Sequence, residues 1–173
     1  DIGASFSATW KGETVVDIWG GYKDEAQSQA WEQDTIINVY STTKTMSFLC
    51  ALILADRGEL DFDAPVARYW PEFGAAGKQD VKVWHIMDHA AGLSGTDEPL
   101  TGDDLYDWEK VTSALAAQTP WWEPGTKTAY HALTQGYLIG EVVRRITGQT
   151  LGQFFRKEVA EPLEADFHIG VQI

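Results

Sequence analysis

Cysteine, basic residues and long apolar runs are all scarce in this sequence, and each scarcity excludes a class of protein. The single cysteine, Cys50, excludes an internal disulfide framework and gives no hint of an oxidising compartment. Lysine and arginine number 13 against 26 acidic residues, a formal net charge of -13, so neither nucleic acid nor an anionic membrane is an expected partner. The longest apolar run, "MSFLCALILA", is too short to cross a bilayer. With 44% hydrophobic and 23% charged residues, the composition is that of a soluble globular protein.

Signals expected at the ends of a complete chain are also missing. The sequence begins at Asp1 without an initiator methionine or a signal-peptide pattern. It stops at "FHIGVQI", which is typical of the entry to another strand. We therefore expect a piece of a longer protein.

The hydrophobic pattern that is present predicts one hairpin followed by a helical body. The stretch "GASFSATWKGETVVDIWGGY" contains two β-rich runs separated by Lys11-Gly12, where glycine supplies the positive φ of a tight turn. The first expected helix runs from Thr42 to about Arg57, and a short one is closed by Pro71. Further helices are expected from an Asp80 cap to a Gly92 stop, in "GDDLYDWEKVTSALAAQTP", in "ALTQGYLIGEVVRRITG", which Gly148 ends, and from a Thr150 cap to a stop before Pro162. The fold class is α+β. We expect a single partial domain over 1–173, with the hairpin and its lead-in at 1–40 and the mainly helical body at 41–173.

The first helix raises a chemical question, because it opens with Ser41 and carries Lys44 one turn later. Its run from Met46 to Ala55 leaves almost no polar face, so we expect it to be buried with Ser41 at its mouth. Ser41 can be an ordinary N-cap, and Ser-x-x-Lys is a pattern common by chance. However, residues three apart on a helix have Cβ atoms about 5–6 Å from each other, so the Lys44 amine can reach the Ser41 hydroxyl. The helix dipole and burial both disfavour an ammonium there, which makes an activated nucleophile the alternative to a cap.

Longer motifs favour the nucleophile. The segments "VYSTTKTM", "VARYWPEFGAAGK", "HIMDHAAGL", "WEPGTKTAYHALTQGYLIGEVVRRITG" and "FFRKEVAEPL" together resemble the serine β-lactamase and penicillin-binding superfamily, in the family's order and over almost the whole chain. The resemblance is strongest to its esterase branch, the family VIII carboxylesterases, which are similar to class C β-lactamases. It implies a β-lactamase/transpeptidase-like fold.

The resemblance also implies roles for individual residues. Ser41 would be the acylated nucleophile, and Lys44 would assist its deprotonation. Tyr130 matches the tyrosine of the family's second motif, although a core aromatic near a helix start is the other interpretation of this residue. In the family's chemistry Tyr130 would take the Ser41 proton, pass it to the leaving alcohol and later activate the deacylating water, with Lys44 and Tyr130 sharing one proton. This acyl transfer needs no cofactor.

The sequence departs from the family pattern in two places. Ala132 occupies the position of an asparagine that helps to hold the β-lactam side chain, which favours a simple short-chain ester as substrate. The third motif, Lys-Thr-Gly or a variant on a late strand, is not found, and with it the second oxyanion N–H is missing. We expect the carboxy-terminal strands of the sheet to be absent from this chain. The hairpin would then pair with a cleaved carboxy-terminal half or with a second copy, and the chain alone would turn over esters poorly.

Other residues carry weaker hypotheses. His131 and Trp121 are candidates for contact with substrate near Tyr130. His85 and His89 have the spacing of metal ligands on a helix, but no third ligand is evident, so we expect no metal and a structural hydrogen bond from His89 at the helix end. The alternatives to an active esterase are a β-lactamase or D-amino-acid peptidase relative, and a non-catalytic fragment that keeps the fold.

Overall fold

The computed structural model describes residues 2–170 of the chain. The chain forms two compact units, one ending at Asn38 and the other beginning at Val39. This boundary lies close to the one expected between 40 and 41, and the single domain over 1–173 stays a prediction. The strand entry expected at "FHIGVQI" runs into residues 171–173, which lie outside the described range.

The first unit contains the expected hairpin. Strands β1 (Gly3–Trp10) and β2 (Glu13–Gly21) pair antiparallel. Lys11 and Gly12 join them with φ values of +50° and +85°, the pair of positive angles that a two-residue type I′ turn requires. The hairpin prediction is confirmed.

The hairpin leaves much of its apolar surface in solvent. Within residues 2–170 its sheet has two strands, so the outer edges of β1 and β2 have no neighbouring strand there. Phe6 lies opposite Ile18, and both side chains are exposed, as are those of Trp10 and Trp19. An isolated two-stranded hairpin is marginally stable in water, and an open apolar edge favours pairing with another chain.

The second unit is helical. Its helices are α1 (Thr43–Asp56), α2 (Val83–Met87), α3 (Trp108–Ala117), α4 (Thr134–Thr147) and α5 (Leu151–Phe155), which continues as a π-helical turn at Arg156–Ala160. Shorter 3₁₀ turns lie at Tyr40–Thr42, Val66–Arg68, Pro71–Gly74 and Asp104–Tyr106. No helix within residues 2–170 is long and apolar enough to cross a membrane.

The core of this unit forms where α1, α4 and α5 pack on one another, with α3 against α4. Its fully or almost fully buried side chains include Cys50, Leu54, Trp70, Phe73, Leu138, Val142, Phe154 and Phe155. Burial raises the pKa of the Cys50 thiol to about 12. Cys50 is therefore an apolar core residue, as its place in the sequence predicts.

Two helix ends confirm their sequence signals. Gly148 ends α4 with a φ of +71°, a conformation that glycine adopts without strain. Thr150 caps α5, accepting a hydrogen bond from the Gln153 N–H at 3.2 Å, while the Gln153 side chain accepts from the Thr150 N–H at 2.9 Å. These reciprocal bonds form a capping box.

Two other boundaries differ from expectation. Pro71 begins a 3₁₀ turn rather than closing a helix, because proline at a first helical position needs no N–H. Helix α2 starts after Lys82 rather than after an Asp80 cap. It also ends early, because His89 takes a left-handed conformation with a φ of +58°.

Helix α1 is less buried than its sequence predicts. Cys50 and Leu54 face the core, but Leu49 is 36% exposed and Leu52 is 53% exposed. The prediction of a helix buried on every side is wrong for residues 2–170, where this second face remains open to solvent. An apolar face that meets water is typical of a surface that another chain segment covers.

A buried carboxylate joins α3 to α4. Glu141 is 1% exposed and accepts hydrogen bonds from the Trp108 indole at 2.7 Å, from Arg144 at 2.7 and 2.8 Å, and from Arg145 at 2.7 Å. Burial alone would raise the pKa of Glu141, but the hydrogen bonds from Arg144, Trp108 and Arg145 hold it below its usual value. Arg145 also pairs with the exposed Glu72 at 3.1 Å.

We expect Glu141→Gln to lower the free energy of unfolding by about 2–3 kcal/mol, because it leaves two guanidinium groups beside a neutral amide. This figure is below that for a fully buried pair, since both arginines are partly exposed. Urea unfolding would measure the loss. The matched control is Glu72→Gln, which removes an exposed charge from the same network and should change stability much less than Glu141→Gln does. Equal losses from the two variants would contradict this assignment.

Candidate active site

Ser41 lies in the 3₁₀ turn that leads into α1, and its side chain does not cap the helix. Neither this turn nor α1 has a hydrogen bond from a side-chain cap. The preceding residue, Tyr40, has a left-handed φ of +46°, an uncommon conformation for a residue with a side chain. The Ser41 hydroxyl therefore has no structural task at the start of the helix.

Lys44 and Tyr130 both donate to the Ser41 hydroxyl. The Tyr130 hydroxyl lies 2.5 Å from Ser41 Oγ, and Lys44 Nζ lies 3.3 Å from the same oxygen. Lys44 Nζ also donates to the carbonyl of Ala132 at 2.8 Å, and it lies 4.9 Å from the centroid of the Tyr130 ring. The structure brings together the three residues that the sequence selects as catalytic.

The contacts of Tyr130 change its acidity. The hydrogen bond with Ser41 lowers the pKa of the Tyr130 phenol below its usual value, and the hydrogen bond and charge of Lys44 lower it further. A phenol with a lowered pKa forms phenolate more readily near neutral pH, which is the form that can accept a proton.

His131 does not face a substrate. Its side chain is 0% exposed, and its ring nitrogens contact backbone groups: Nε2 accepts from the Leu93 N–H at 3.1 Å, and Nδ1 lies 2.6 Å from the Ala129 carbonyl. Because Nε2 accepts, Nδ1 carries the proton of the neutral ring and donates it to Ala129. Burial lowers the pKa of His131. The expected substrate contact is corrected to a structural role, because the His131 side chain has no exposed surface and both ring nitrogens contact backbone groups.

Trp121 is half exposed and braces a neighbouring loop. Its indole N–H donates to Asp97 at 2.6 Å, and its ring lies so close to Gly95 that a Cβ on that residue would be 2.7 Å from it. The side chain therefore holds the loop after Leu93, and its contact with substrate stays a prediction.

A cavity is lined by Leu133 and by residues of the loop that follows Gly95. It has a volume of about 290 Å³, and its apolar lining includes Leu100, Leu105, Val111, Leu133 and Tyr137. Leu133 directly follows the residue whose carbonyl binds Lys44. No sequence motif predicts this cavity, because its lining residues come from separate segments of the chain.

The two histidines with metal-ligand spacing are occupied by backbone hydrogen bonds. His85 Nδ1 accepts from the Lys82 N–H at 3.0 Å, and His89 Nδ1 accepts from the His131 N–H at 3.1 Å. Residues 2–170 contain no group of three or more His, Cys, Asp or Glu side chains placed to hold a metal ion. The geometry at His89 is that of the structural hydrogen bond expected from its place at the helix end.

Comparison with protein families gives the site a context. A family model described as "Beta-lactamase" matches residues 2–172. The chain belongs to the β-lactamase family. This membership confirms the resemblance on which the roles of Ser41, Lys44 and Tyr130 were based, and it confirms the β-lactamase-like fold class.

Individual members of the β-lactamase family are similar along nearly the entire chain. "Esterase/beta-lactamase LipL" of Mycobacterium tuberculosis is 43% identical over 97% of this chain. A crystal structure of a family VIII carboxylesterase is 49% identical and superimposes with a TM-score of 0.95 over 99% of this chain. A penicillin-binding protein homologue from Caulobacter crescentus is 39% identical, with a TM-score of 0.95 over 99% of this chain.

The chain spans only part of these relatives. It covers 39% of LipL, 48% of the carboxylesterase chain and 46% of the penicillin-binding protein homologue. These β-lactamase-family proteins are about twice as long, so the hairpin and helices described above are a part of the family fold.

We expect Lys44→Met to raise the pKa of Tyr130, because the variant removes one hydrogen bond and one positive charge from the phenol. Titration of tyrosine labelled with ¹³C at Cζ would measure this pKa by NMR, with Tyr130→Phe assigning the signal. Lys127→Met is the matched control, since it removes the same charge from an exposed position in the segment before Tyr130. An unchanged or lower pKa of Tyr130 in Lys44→Met would contradict the geometry.

Proposed function

We propose that this chain carries the nucleophilic machinery of a serine hydrolase that acts on short-chain carboxylic esters through an acyl-enzyme. The observation that carries the proposal is the approach of Tyr130 and Lys44 to Ser41 Oγ, at 2.5 and 3.3 Å. A nucleophile and a base within hydrogen-bond distance, with a third group that orients the base, form the arrangement that covalent hydrolases use.

In the first half of the reaction Ser41 Oγ attacks the ester carbonyl carbon. The bond from Oγ to carbon forms while the Oγ proton passes to the pair of Tyr130 and Lys44, which share one proton site between them. The tetrahedral intermediate then expels the alcohol, whose oxygen receives that proton from Tyr130. The products of this half are the free alcohol and an acyl group on Ser41.

In the second half a water molecule takes the place of the alcohol. Tyr130 accepts a proton from the water, whose oxygen attacks the acyl carbon, and the bond to Oγ breaks with return of a proton to Ser41. The positive end of the α1 dipole favours negative charge at this position, and the Ser41 N–H can donate to the oxyanion.

Several features support an ester as substrate. Ala132 has no side-chain amide to hold a β-lactam substituent, and its carbonyl is occupied by Lys44. The cavity of about 290 Å³ at Leu133, three residues after Tyr130 in the sequence, has the apolar lining that a short acyl chain or alcohol requires. The name of LipL includes both esterase and β-lactamase, so lactam hydrolysis is the second candidate activity for the same three residues.

We also propose a partner for the exposed apolar surfaces. The open hairpin edges and the α1 face with Leu49 and Leu52 would be covered by a cleaved carboxy-terminal half of the fold or by a second copy of the chain. A carboxy-terminal half of the fold would also supply the second oxyanion donor, which a second copy of this chain would lack. The chain length relative to LipL and the solved structures supports this proposal.

Labelling with a fluorophosphonate tests the nucleophile. We expect one covalent adduct, located on Ser41 by peptide mass spectrometry, because Ser41 is the hydroxyl that both basic groups contact. Ser41→Ala should abolish the adduct, whereas Ser94→Ala, at another serine of the same unit, should leave it. Tyr130→Phe should slow labelling by about 10²-fold or more. Absence of an adduct even after the fold is completed by its carboxy-terminal strands would support a non-catalytic scaffold.

The rate of p-nitrophenyl butyrate hydrolysis tests whether the chain needs the proposed partner for activity. We expect the purified 173-residue chain to be at least about 100-fold slower than the same chain supplied with the carboxy-terminal strands, since one oxyanion donor typically contributes that much. Light scattering would show whether the active species is heavier than the 19.2 kDa chain. Full activity from a monomer of this chain would refute the proposed partner.

A further inference from the structure

We propose that His89 is a positioning residue that aims the Tyr130 phenol at Ser41. This inference rests on the proposed function, because it assigns the support of the group that would move the proton. His89 itself does not contact Ser41 in any hydrogen bond given by the structure, so its action passes through Tyr130.

The contacts of His89 lie on both sides of Tyr130. Its carbonyl accepts a hydrogen bond from the Ala129 N–H at 3.2 Å, and its Nδ1 accepts from the His131 N–H at 3.1 Å. Between these bonds, the imidazole packs against the Tyr130 ring with centroids 4.9 Å apart and planes inclined by 59°. One residue therefore binds the backbone N–H of Ala129, packs against the Tyr130 ring and binds the backbone N–H of His131.

This arrangement depends on the backbone conformation of His89. Its φ of +58° is left-handed, a region in which histidine and asparagine occur more often than most other residues with side chains. The conformation ends α2 and directs both the carbonyl and the imidazole of His89 to the segment that carries Tyr130. A strained residue beside reacting groups is typical of functional sites, where the surrounding contacts maintain it.

Helix α4 keeps this support in place. The amide nitrogen of Gln135, a residue 1% exposed, donates to the carbonyls of Ile86 and Met87 at 3.0 Å each and lies 3.5 Å from His89 Nε2. The end of α2 is therefore tied to α4 immediately before His89. Movement of His89 away from Tyr130 would break these buried hydrogen bonds.

The support also requires an uncharged imidazole. Nδ1 can accept from His131 only while it carries no proton. The groups that face His89 are Lys44 from α1, its neighbour Asp88, Gln135 from α4, and Tyr130 and His131 from the segment it holds. Burial lowers the pKa of His89, and the positive charge of Lys44 lowers it further against the opposing effect of Asp88. Acid that protonates His89 would convert Nδ1 into a donor and release the His131 N–H.

Three variants distinguish an effect of His89 on the position of Tyr130 from an effect on the stability of the fold. Each is made in the full chain. His89→Gly keeps a residue that tolerates positive φ but removes the imidazole. His89→Asn tolerates the same φ and replaces Nδ1 with an amide oxygen that can accept from His131. His85→Asn is the matched control, because it removes a buried histidine from the other end of α2 whose hydrogen bond goes to Lys82.

Two measurements are made on each variant: the pKa of Tyr130 by ¹³C NMR and the rate of fluorophosphonate labelling of Ser41. We expect His89→Gly to raise the pKa of Tyr130, because the phenol loses its fixed contacts, and to slow labelling about tenfold or more. His89→Asn should restore labelling to within about threefold of the parent, since the acceptor is restored. His85→Asn should lower thermal stability without changing the pKa of Tyr130.

The NMR measurement keeps this inference separate from the proposed function. If the parent chain takes no label, the proposed hydrolase fails, but the pKa of Tyr130 in His89→Gly still reports whether the phenol has moved. The inference is overturned if His89→Gly leaves that pKa unchanged, or if His85→Asn shifts it by the same amount. It is also overturned if His89→Asn behaves as His89→Gly does.

Discussion

The hydrogen bond from Lys44 to the carbonyl of Ala132 joins two segments of the helical unit that are 88 residues apart in the sequence. Lys44 follows Ser41 by one helical turn, and Ala132 follows Tyr130 by two residues. The bond therefore sets the position of the Tyr130 segment against the first turn of α1. With this contact in place, the tyrosine hydroxyl lies 2.5 Å from the serine hydroxyl.

The groups that react and the groups that support them differ in their exposure. Ser41 and Tyr130 are exposed, as a site that receives a substrate requires. His131, Gln135 and Glu141 are almost completely buried, and the ring of His131, the amide nitrogen of Gln135 and the carboxylate of Glu141 all form hydrogen bonds. A buried polar network of this kind resists rearrangement, because each broken bond leaves a polar group without water. The exposed reacting groups therefore belong to a unit whose buried polar side chains are held in place by hydrogen bonds.

Local patterns predicted those features that depend on neighbours in sequence. The three-residue spacing of Ser41 and Lys44, the turn at Lys11-Gly12 and the end of α4 at Gly148 all follow from helix period or glycine conformation. Contacts with backbone atoms could not be predicted in this way: the second acceptor for Lys44 is a carbonyl, which every residue carries.

The sequence also did not predict the backbone conformation of His89, the solvent exposure of one α1 face or the burial of His131. The left-handed backbone at His89 ends α2 at Met87, whereas the sequence pattern predicted a helix that continues to Gly92. Apolar residues along α1 predicted burial, but composition does not say which element supplies the cover, and Leu52 remains exposed within the described chain. The adjacency of His131 to Tyr130 in the sequence suggested a shared contact with substrate, yet the His131 side chain is completely buried.

The burial of Cys50 has a consequence for how motion of α1 can be observed. This residue is the chain's only thiol, and it lies on the inner face of the helix that begins beside Ser41. A thiol reagent can modify it only when the helix leaves the core, so the modification rate in native buffer reports local opening without interference from other cysteines. Any bound molecule that holds α1 in place would slow this modification, so the reaction rate of Cys50 reports binding at α1.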